Sequence, residues 1–218
     1  MAARILGMAI GLLAASTVAA QAEFQFSAYG GWQTAPHSLV TVTGTDAREF
    51  TAGWEGRSFQ MPPYYGVRAT WWMDFAPAWG ISLDFTHAKV YADEETFAND
   101  IADWDRFEFS DGINFLTVNG MYRYQKFERF EPYAGLGVGL SIPHVEVTRP
   151  SGTTFEYQVG GVAFEALAGV NYKLTERLSV FTEYQFNYSI NDLEIDSGSR
   201  LKTNIVTNAI VAGVSVHF

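Results

Sequence analysis

The amino-acid sequence predicts an all-β fold, an eight-stranded antiparallel up-and-down transmembrane β-barrel. The first observation is the stretch 209–218, which alternates large apolar with smaller or polar side chains and stops on an aromatic. Ile210, Val214, Val216 and Phe218 share one face of this predicted strand. The second observation is an N-terminal export signal. The third is the absence of an apolar run of the ~18 residues that a membrane-spanning helix needs, so a chain that enters a membrane must do so as a closed sheet.

Residues 1–22 are predicted to be a secretory signal peptide. Arg4 precedes an apolar run from Ile5 to Ala15, and Ala20-Gln21-Ala22 supplies a small-x-small cleavage pattern. This leaves residues 23–218 as one barrel domain.

Eight segments of the mature chain alternate with a period of two residues, which predicts eight strands. They lie at about 23–32, 64–72, 79–91, 113–124, 131–147, 158–173, 177–190 and 204–218. The connections alternate in length. Residues 73–78, 125–130 and 174–176 are short turns, whereas 33–63, 92–112, 148–157 and 191–203 are long loops. Barrels of the outer membrane have short periplasmic turns and long external loops, so we expect the cell outer membrane, with loops to the exterior and both termini in the periplasm.

Composition limits the function. The formal net charge of -10 at pH 7 argues against a nucleic-acid partner. An aromatic content of 16% and 20 glycines suit a barrel with aromatic girdles and tight bends. With no cysteine, the chain has no disulfide, thiol nucleophile or thiolate metal site.

Charged residues on the inward face predict an ion-pair network that fills a narrow lumen. Arg68 and Arg123 are expected to meet Asp84, Glu165 and Glu183, because an unpaired charge there is costly. A catalytic carboxylate is the alternative. A barrel of eight strands leaves little room for a pore, so porin-like transport is not expected. Gly135, Gly137 and Gly139 leave the inner face of one strand empty, with space for bulky neighbours or a ligand.

Three of the four histidines are predicted at the outer rim. His37, His87 and His144 fall near the outward ends of strands, and His217 alone falls at the periplasmic end. Because His144 and Glu146 are two residues apart, they share a strand face, and Pro143 is expected to turn this pair toward the lumen mouth. Such nitrogen and oxygen ligands suit iron, copper or zinc. The alternative is scattered rim histidines that contact water or lipid head groups.

General enzyme motifs such as GxSxG, HExxH, GxxxxGK[ST] and GxGxxG before a helix are absent. Several longer strings are distinctive, with PHS, PPYYG, HAKVYA and PHVEV the most specific of them. They occur in GGWQTAPHS at 30–38, GWEGRSFQMPPYYGVRATWW at 53–72, THAKVYADEET at 86–96, FEFSDGINFLTVN at 107–119, PYAGLGVGLSIPHVEV at 132–147 and FTEYQFNYS at 181–189. With these strings the chain resembles the outer-membrane lipid A oxidase family, within the small outer-membrane β-barrel superfamily.

The resemblance implies oxidation of the proximal glucosamine of lipid A to 2-aminogluconate with molecular oxygen. Lipid A, or lipopolysaccharide in the outer leaflet, would be the partner. With neither cysteine nor a flavin or nicotinamide motif, a redox metal such as iron or copper is the expected electron acceptor. The predicted ligands are His37, His87, His144 and Glu146. Arg57 and Lys89 are expected to bind a substrate phosphate, and Glu55 or Asp111 to act as base.

Two other functions remain open. One is a lipid A deacylase or acyltransferase, although no His-x-Ser pattern occurs. The other is a non-enzymatic surface barrel for adhesion or envelope integrity. In that case loops 33–63 and 92–112 would present exposed aromatic residues, namely Trp54, Phe59, Phe97, Trp104 and Phe107.

Overall fold

The computed structural model describes residues 23–218, so the predicted signal peptide lies outside the described residues. The described residues form twelve strands and one α-helix. The strands are β1 (Glu23–Thr34), β2 (Ser38–Thr43), β3 (Arg48–Ala52), β4 (Trp54–Glu55), β5 (Tyr65–Met73), β6 (Ala76–Ala92), β7 (Arg106–Arg123), β8 (Phe130–Arg149), β9 (Gly152–Tyr157), β10 (Gly161–Lys173), β11 (Leu178–Ile195) and β12 (Ser199–His217). Helix α1 covers Glu94–Asn99, and Asp196–Gly198 forms a short 3-10 turn.

Eight strands form a closed antiparallel ring, which confirms the predicted fold class. The ring order is β1, β5, β6, β7, β8, β10, β11 and β12, and pairing of β12 with β1 closes it. We call the end with the short turns, Glu23 and Phe218 the turn end, and the opposite end the loop end.

The prediction of four long irregular loops was wrong, because most of the residues in these ranges form strands or helix. The hairpin β2–β3 pairs with the loop-end part of β12, β4 pairs with β6, and β9 pairs with β8. The predicted loop 191–203 is mainly the continuation of β11 and β12. Asp93 caps the N-terminus of helix α1, and its side chain accepts a hydrogen bond from the Thr96 amide at 2.8 Å. Within residues 23–218, no helix has the length and apolar character to cross a membrane.

The polarity of the wall inverts along the strands. Toward the turn end, polar side chains such as Asp84 point inward, and apolar ones such as Leu83 are exposed on the outer face. Toward the loop end, Val145 and Val147 are buried inside, whereas Glu146 between them lies on the outer face. The change occurs near the row in which β5, β6 and β7 pair through Tyr65, His87 and Asn114.

The loop end therefore has an apolar core inside the ring. Most of the aromatic residues that were predicted to be exposed lie in it: Trp54 is 7%, Trp104 4% and Phe107 1% exposed, and Phe97 packs against them. Trp104 contacts Phe107 edge to face at 5.4 Å. Only Phe59 of the predicted set is fully exposed, at 79%.

Toward the turn end, polar contacts fill the lumen, as predicted for Arg68. This guanidinium pairs with Asp84 and, at 2.7 Å, with Glu183. Arg123 was predicted to join the same carboxylates, but it pairs instead with Glu23 at 2.6 Å and Glu131 at 3.7 Å.

The structure also shows the partners of Glu165 and what lies beside the glycines of β8. Glu165 accepts hydrogen bonds from Thr117 at 2.5 Å and Asn119 at 2.9 Å rather than from an arginine. A Cβ at Gly135 would lie 2.5 Å from the Met121 sulfur, and one at Gly137 would meet Asn119. Side chains from β7 thus occupy the space beside the glycines.

Candidate functional site

A polar patch lies on the outer wall at the loop end. The register places Glu55, Tyr91, Glu108, Glu146 and Phe155 in one row across β4, β6, β7, β8 and β9. Residues directly opposite one another share a face of a sheet. This face points away from the ring, because the sequence neighbours of Tyr91, Glu108 and Glu146 are buried in the loop-end core. We call the row and the side chains around it the outer-wall patch.

Asp111, His144 and Glu146 form the centre of the patch. His144 Nδ1 lies 3.1 Å from Glu146 Oε1 and 3.8 Å from Asp111 Oδ2. The potential ligand atoms of the three side chains all lie within 4.8 Å of one another. In the part of the chain that the structure describes, no other three His, Asp or Glu side chains come together in this way.

Glu146 is held in place by three donors in addition to His144. Ser110 Oγ and the Asp111 amide donate to Glu146 Oε1 at 2.6 and 3.1 Å. Arg106 Nη1 donates to Oε2 at 3.0 Å. A carboxylate with this many donors has a fixed orientation, which a metal ligand or an orienting group in catalysis requires.

A bulge in β7 brings Ser110 and Asp111 to the site. The register with β8 shifts between Glu108 and Ile113, so the intervening residues leave the regular ladder. Gly112 in this bulge has φ +117, and a Cβ there would lie 2.5 Å from His87 Cε1. The bulge therefore requires glycine for both its backbone angle and its contact with His87.

The two paired glutamates have opposite pKa shifts. Burial, followed by the neighbouring charge of Glu146, raises the pKa of Glu108. Burial acts in the same direction on Glu146, but hydrogen bonds from Ser110 and His144 outweigh it and lower its pKa. Glu146 is thus the carboxyl that stays ionised, as a ligand must.

The two predicted phosphate-binding cations lie beside the row. The Arg57 guanidinium stacks 4.3 Å from the centre of the Tyr91 ring and pairs with Glu55 at 2.9 Å. Lys89 is only 1% exposed, and its ammonium donates to the Gln60 carbonyl at 2.8 Å. Among the described residues no carboxylate forms an ion pair with Lys89. Burial and the charge of Arg57 lower its pKa, so an incoming anion would stabilise its charged form.

The other predicted site residues are distributed unevenly. His87 lies at the edge of the patch, where its Nδ1 is 2.8 Å from Asn114 Oδ1 and its Nε2 is buried without a hydrogen bond. His37 lies elsewhere, exposed between β1 and β2 and near Asp93. The structure therefore groups His144 and Glu146 with Asp111 rather than with His37.

The pair His144 and Glu146 shares a face, as their spacing predicted, but the expected turn toward the lumen was wrong. Pro143 lies on the inner face, and the pair stays on the outer wall. The rings of Phe155 and Tyr157 each lie 4.5 Å from the His144 ring and form its outer surroundings.

A family model described as the outer membrane protein beta-barrel domain matches residues 6–218. The chain belongs to this family. An outer-membrane β-barrel has its apolar wall in the lipid, so the protein is located in the outer membrane with its apolar band in the hydrocarbon layer. The outer-wall patch then lies just beyond one boundary of that layer.

Solved structures agree with this family at the level of the fold. Neisserial surface protein A is 16% identical, with a TM-score of 0.50 over 89% of this chain and 97% of its own. The outer membrane protein OprG from Pseudomonas aeruginosa is 14% identical, with a TM-score of 0.50 over 90% of this chain and 96% of its own. A comparison with curated proteins finds no match.

Sequence reasoning missed Arg106, Glu108 and Ser110 of this outer-membrane barrel. They lie inside a predicted loop, and their approach to Glu146 depends on the strand register. The alternation Arg106, Glu108, Ser110 against Phe107 and Phe109 was the available signal for a strand there.

Proposed function

We propose that this outer-membrane barrel is an enzyme that oxidises the proximal glucosamine of lipid A to 2-aminogluconate with molecular oxygen. The observation that carries the proposal is the position of the Asp111, His144 and Glu146 group. It lies on the outside of the wall, next to the apolar band, and not in the lumen. A lipid head group reaches such a site by moving sideways in the leaflet.

The proposal includes an orientation with the loop end outside the cell and the termini in the periplasm. The outer-wall patch then lies among the head groups of the outer leaflet, where lipid A is found. The two cations Arg57 and Lys89 give the patch groups that bind a phosphate of the substrate.

The reaction removes two electrons and two protons from the sugar hemiacetal. The C1–H bond and the hydroxyl O–H bond break, and a C=O bond forms at C1, which gives a lactone. Molecular oxygen takes up both electrons and both protons and becomes hydrogen peroxide. Addition of water to the lactone gives the acid. Asp111 is the better placed of the two predicted bases, because its side chain is half exposed and Glu55 is engaged by Arg57.

The residues fit a metal of the predicted kind in part. His144 and Glu146 offer a nitrogen and a carboxylate ligand, a donor set suited to iron, and Asp111 beside them keeps the role of base. A bound redox metal would supply the electron transfer to oxygen. The predicted copper alternative would be better served by more nitrogen ligands, and His37 does not lie in this group.

The test is oxidation of purified lipid A by the refolded barrel under oxygen, followed by mass spectrometry and peroxide assay. We expect wild-type protein to add one oxygen atom per lipid, and His144→Ala and Glu146→Gln to lower the rate by ~100-fold or more. His37→Ala is the matched histidine control and should retain activity. Equal activity of His144→Ala and wild type would refute the proposed site.

A second candidate function, lipid A deacylation, is favoured by Ser110. The residues Ser110, His144 and Glu146 provide a hydroxyl, an imidazole and a carboxylate from two strands, although no His-x-Ser pattern exists. Ser110 donates to Glu146 and not to His144, so this arrangement requires rotation of the hydroxyl. Loss of an acyl chain in the same assay, abolished by Ser110→Ala, would support it.

A further inference from the structure

The segment 56–64 closes a gap in the barrel wall. Strand β5 begins at Tyr65, whereas its neighbours β1 and β6 continue to Thr34 and Ala92. At the loop end only the two residues of β4 pair with β6 on this side. The chain that joins β4 to β5 fills this space.

The segment is fastened at several points. Ser58 Oγ accepts a hydrogen bond from the Gln33 amide at 2.9 Å, and the Tyr64 amide donates to the Ser58 carbonyl at 2.8 Å. Tyr64 enters the lumen, where its hydroxyl donates to Gln185 at 2.6 Å. Between these anchors the Gln60 amide closes a turn onto the Arg57 carbonyl at 3.0 Å. The backbone of the segment is therefore fixed against the wall.

This fixed backbone directs two large apolar side chains away from the protein. Phe59 is 79% and Met61 83% exposed, and Trp32 on the neighbouring strand is 52% exposed. Trp32 and Phe59 line one pocket on the outer face, and Trp32 lies on β1 two residues beyond Gly30, which pairs with Tyr65 at the loop-end boundary of the apolar band. We call Trp32, Phe59 and Met61 the apolar wedge. Exposed apolar clusters of this kind mark contacts with a partner or a membrane.

Two cations lie next to the wedge. Lys89 is covered by the carbonyl of Gln60, which lies between the two wedge residues of the segment, and Arg57 precedes them. In a chain with a net charge of -10, this combination of apolar tip and positive charge is complementary to a lipid leaflet, whose phosphates lie just above its acyl chains.

We propose that the apolar wedge inserts into the outer leaflet and that the exposed guanidinium of Arg57 binds the phosphate of a neighbouring anionic lipid. The wedge is thus a lipid-binding surface distinct from the Asp111, His144 and Glu146 group. The inference rests on the outer-membrane location and on the proposed orientation with the loop end outside the cell, and not on lipid A oxidation.

The absence of cysteine makes a direct test possible. Single-cysteine variants Phe59→Cys, Met61→Cys and, as the control, Asn99→Cys are labelled with an environment-sensitive fluorophore and reconstituted in vesicles. Asn99 is an exposed residue at the end of helix α1. Nitroxide-labelled phospholipids then serve as quenchers, and circular dichroism checks that each variant is folded.

We expect labels at 59 and 61 to lose most of their fluorescence and the label at 99 to lose little. Equal quenching at the three positions would refute insertion. A nitroxide phosphatidylglycerol should quench position 61 more than a nitroxide phosphatidylcholine, and Arg57→Gln should remove this difference. Equal quenching by the two lipids would refute the phosphate contact. Neither result depends on turnover, so a failure of the oxidase proposal leaves this test intact.

Discussion

Glu108 and Glu146 lie opposite each other in the outer-wall patch and differ in their hydrogen bonds. Glu146 receives hydrogen bonds from Ser110, His144 and the Asp111 amide, whereas Glu108 shares Ser110 and lies against the charge of Glu146. Glu146 thus stays ionised, and its charge makes ionisation of the neighbouring Glu108 unfavourable. Such strained charges are common at functional sites.

Glu108→Gln should raise the unfolding temperature at neutral pH. Because the folded-state pKa of Glu108 is raised, ionisation destabilises the fold as pH rises above the ordinary value of 4.5. The gain should therefore be present at pH 7 and disappear below about pH 4. Thermal unfolding from pH 3 to 8 measures it, with the exposed Glu128→Gln as control. A gain that persists at pH 3 would contradict this cause.

At the scale of elements, the bulge in β7 decides the geometry of the site. Gly112 allows Ser110 and Asp111 to leave the ladder and approach Glu146, and it lets the backbone touch His87. A strand without the bulge would direct these groups elsewhere.

Gly112→Ala should lower the proposed oxidase activity and destabilise the protein by ~1–3 kcal/mol. Alanine is strained at the positive φ of this position, and its methyl group would lie 2.5 Å from the His87 ring. Gly198→Ala is the matched control, since Gly198 has φ +69 and nothing within 4 Å of a Cβ. Denaturant unfolding and the lipid A assay compare the two variants. Equal losses would show that the contact with His87 has no effect.

The strands near the turn end were predictable from sequence, and the loop-end extensions were not. In β11 the outer apolar residues are Val180 and Tyr184, but Leu193 and Ile195 point inward. The apolar residues therefore change face without a bulge, because the solvent outside changes from lipid to water. An alternation pattern that assumes one solvent ends the strand at this point.

The candidate site was predictable only where its residues are close in sequence. The spacing of His144 and Glu146 was sufficient to place them on one face. The approach of Ser110 and Arg106 required the register of β7 against β8. His37 was grouped with the site because residues 33–63 were treated as a loop, whereas this stretch contains the hairpin β2–β3.

The whole molecule has two interiors, a polar lumen toward the turn end and an apolar core at the loop end. The first depends on ion pairs such as Arg68 with Glu183, and the second on packed aromatic residues such as Trp104. We expect them to differ in their response to a local change.

Trp104→Ala should open the loop end without unfolding the membrane-embedded barrel. Loss of a buried tryptophan costs ~3–5 kcal/mol in a packed core, and Trp104 contacts Phe50 and Phe107 there. External protease should then cleave near helix α1, while the strand signal in circular dichroism and the resistance of the barrel to detergent remain. Phe59→Ala, an exposed aromatic, is the control. Simultaneous loss of both regions would show one cooperative unit.

The inversion of wall polarity also fixes the depth of the barrel in the bilayer. A vertical displacement by one strand residue, ~3.3 Å, would bring either Glu146 toward the acyl chains or Phe85 toward water. Both directions are unfavourable, so the height of His144 relative to the lipid phosphates is set by the protein itself. Membranes of different thickness should then bend at the barrel wall and leave the Asp111, His144 and Glu146 group at the same level.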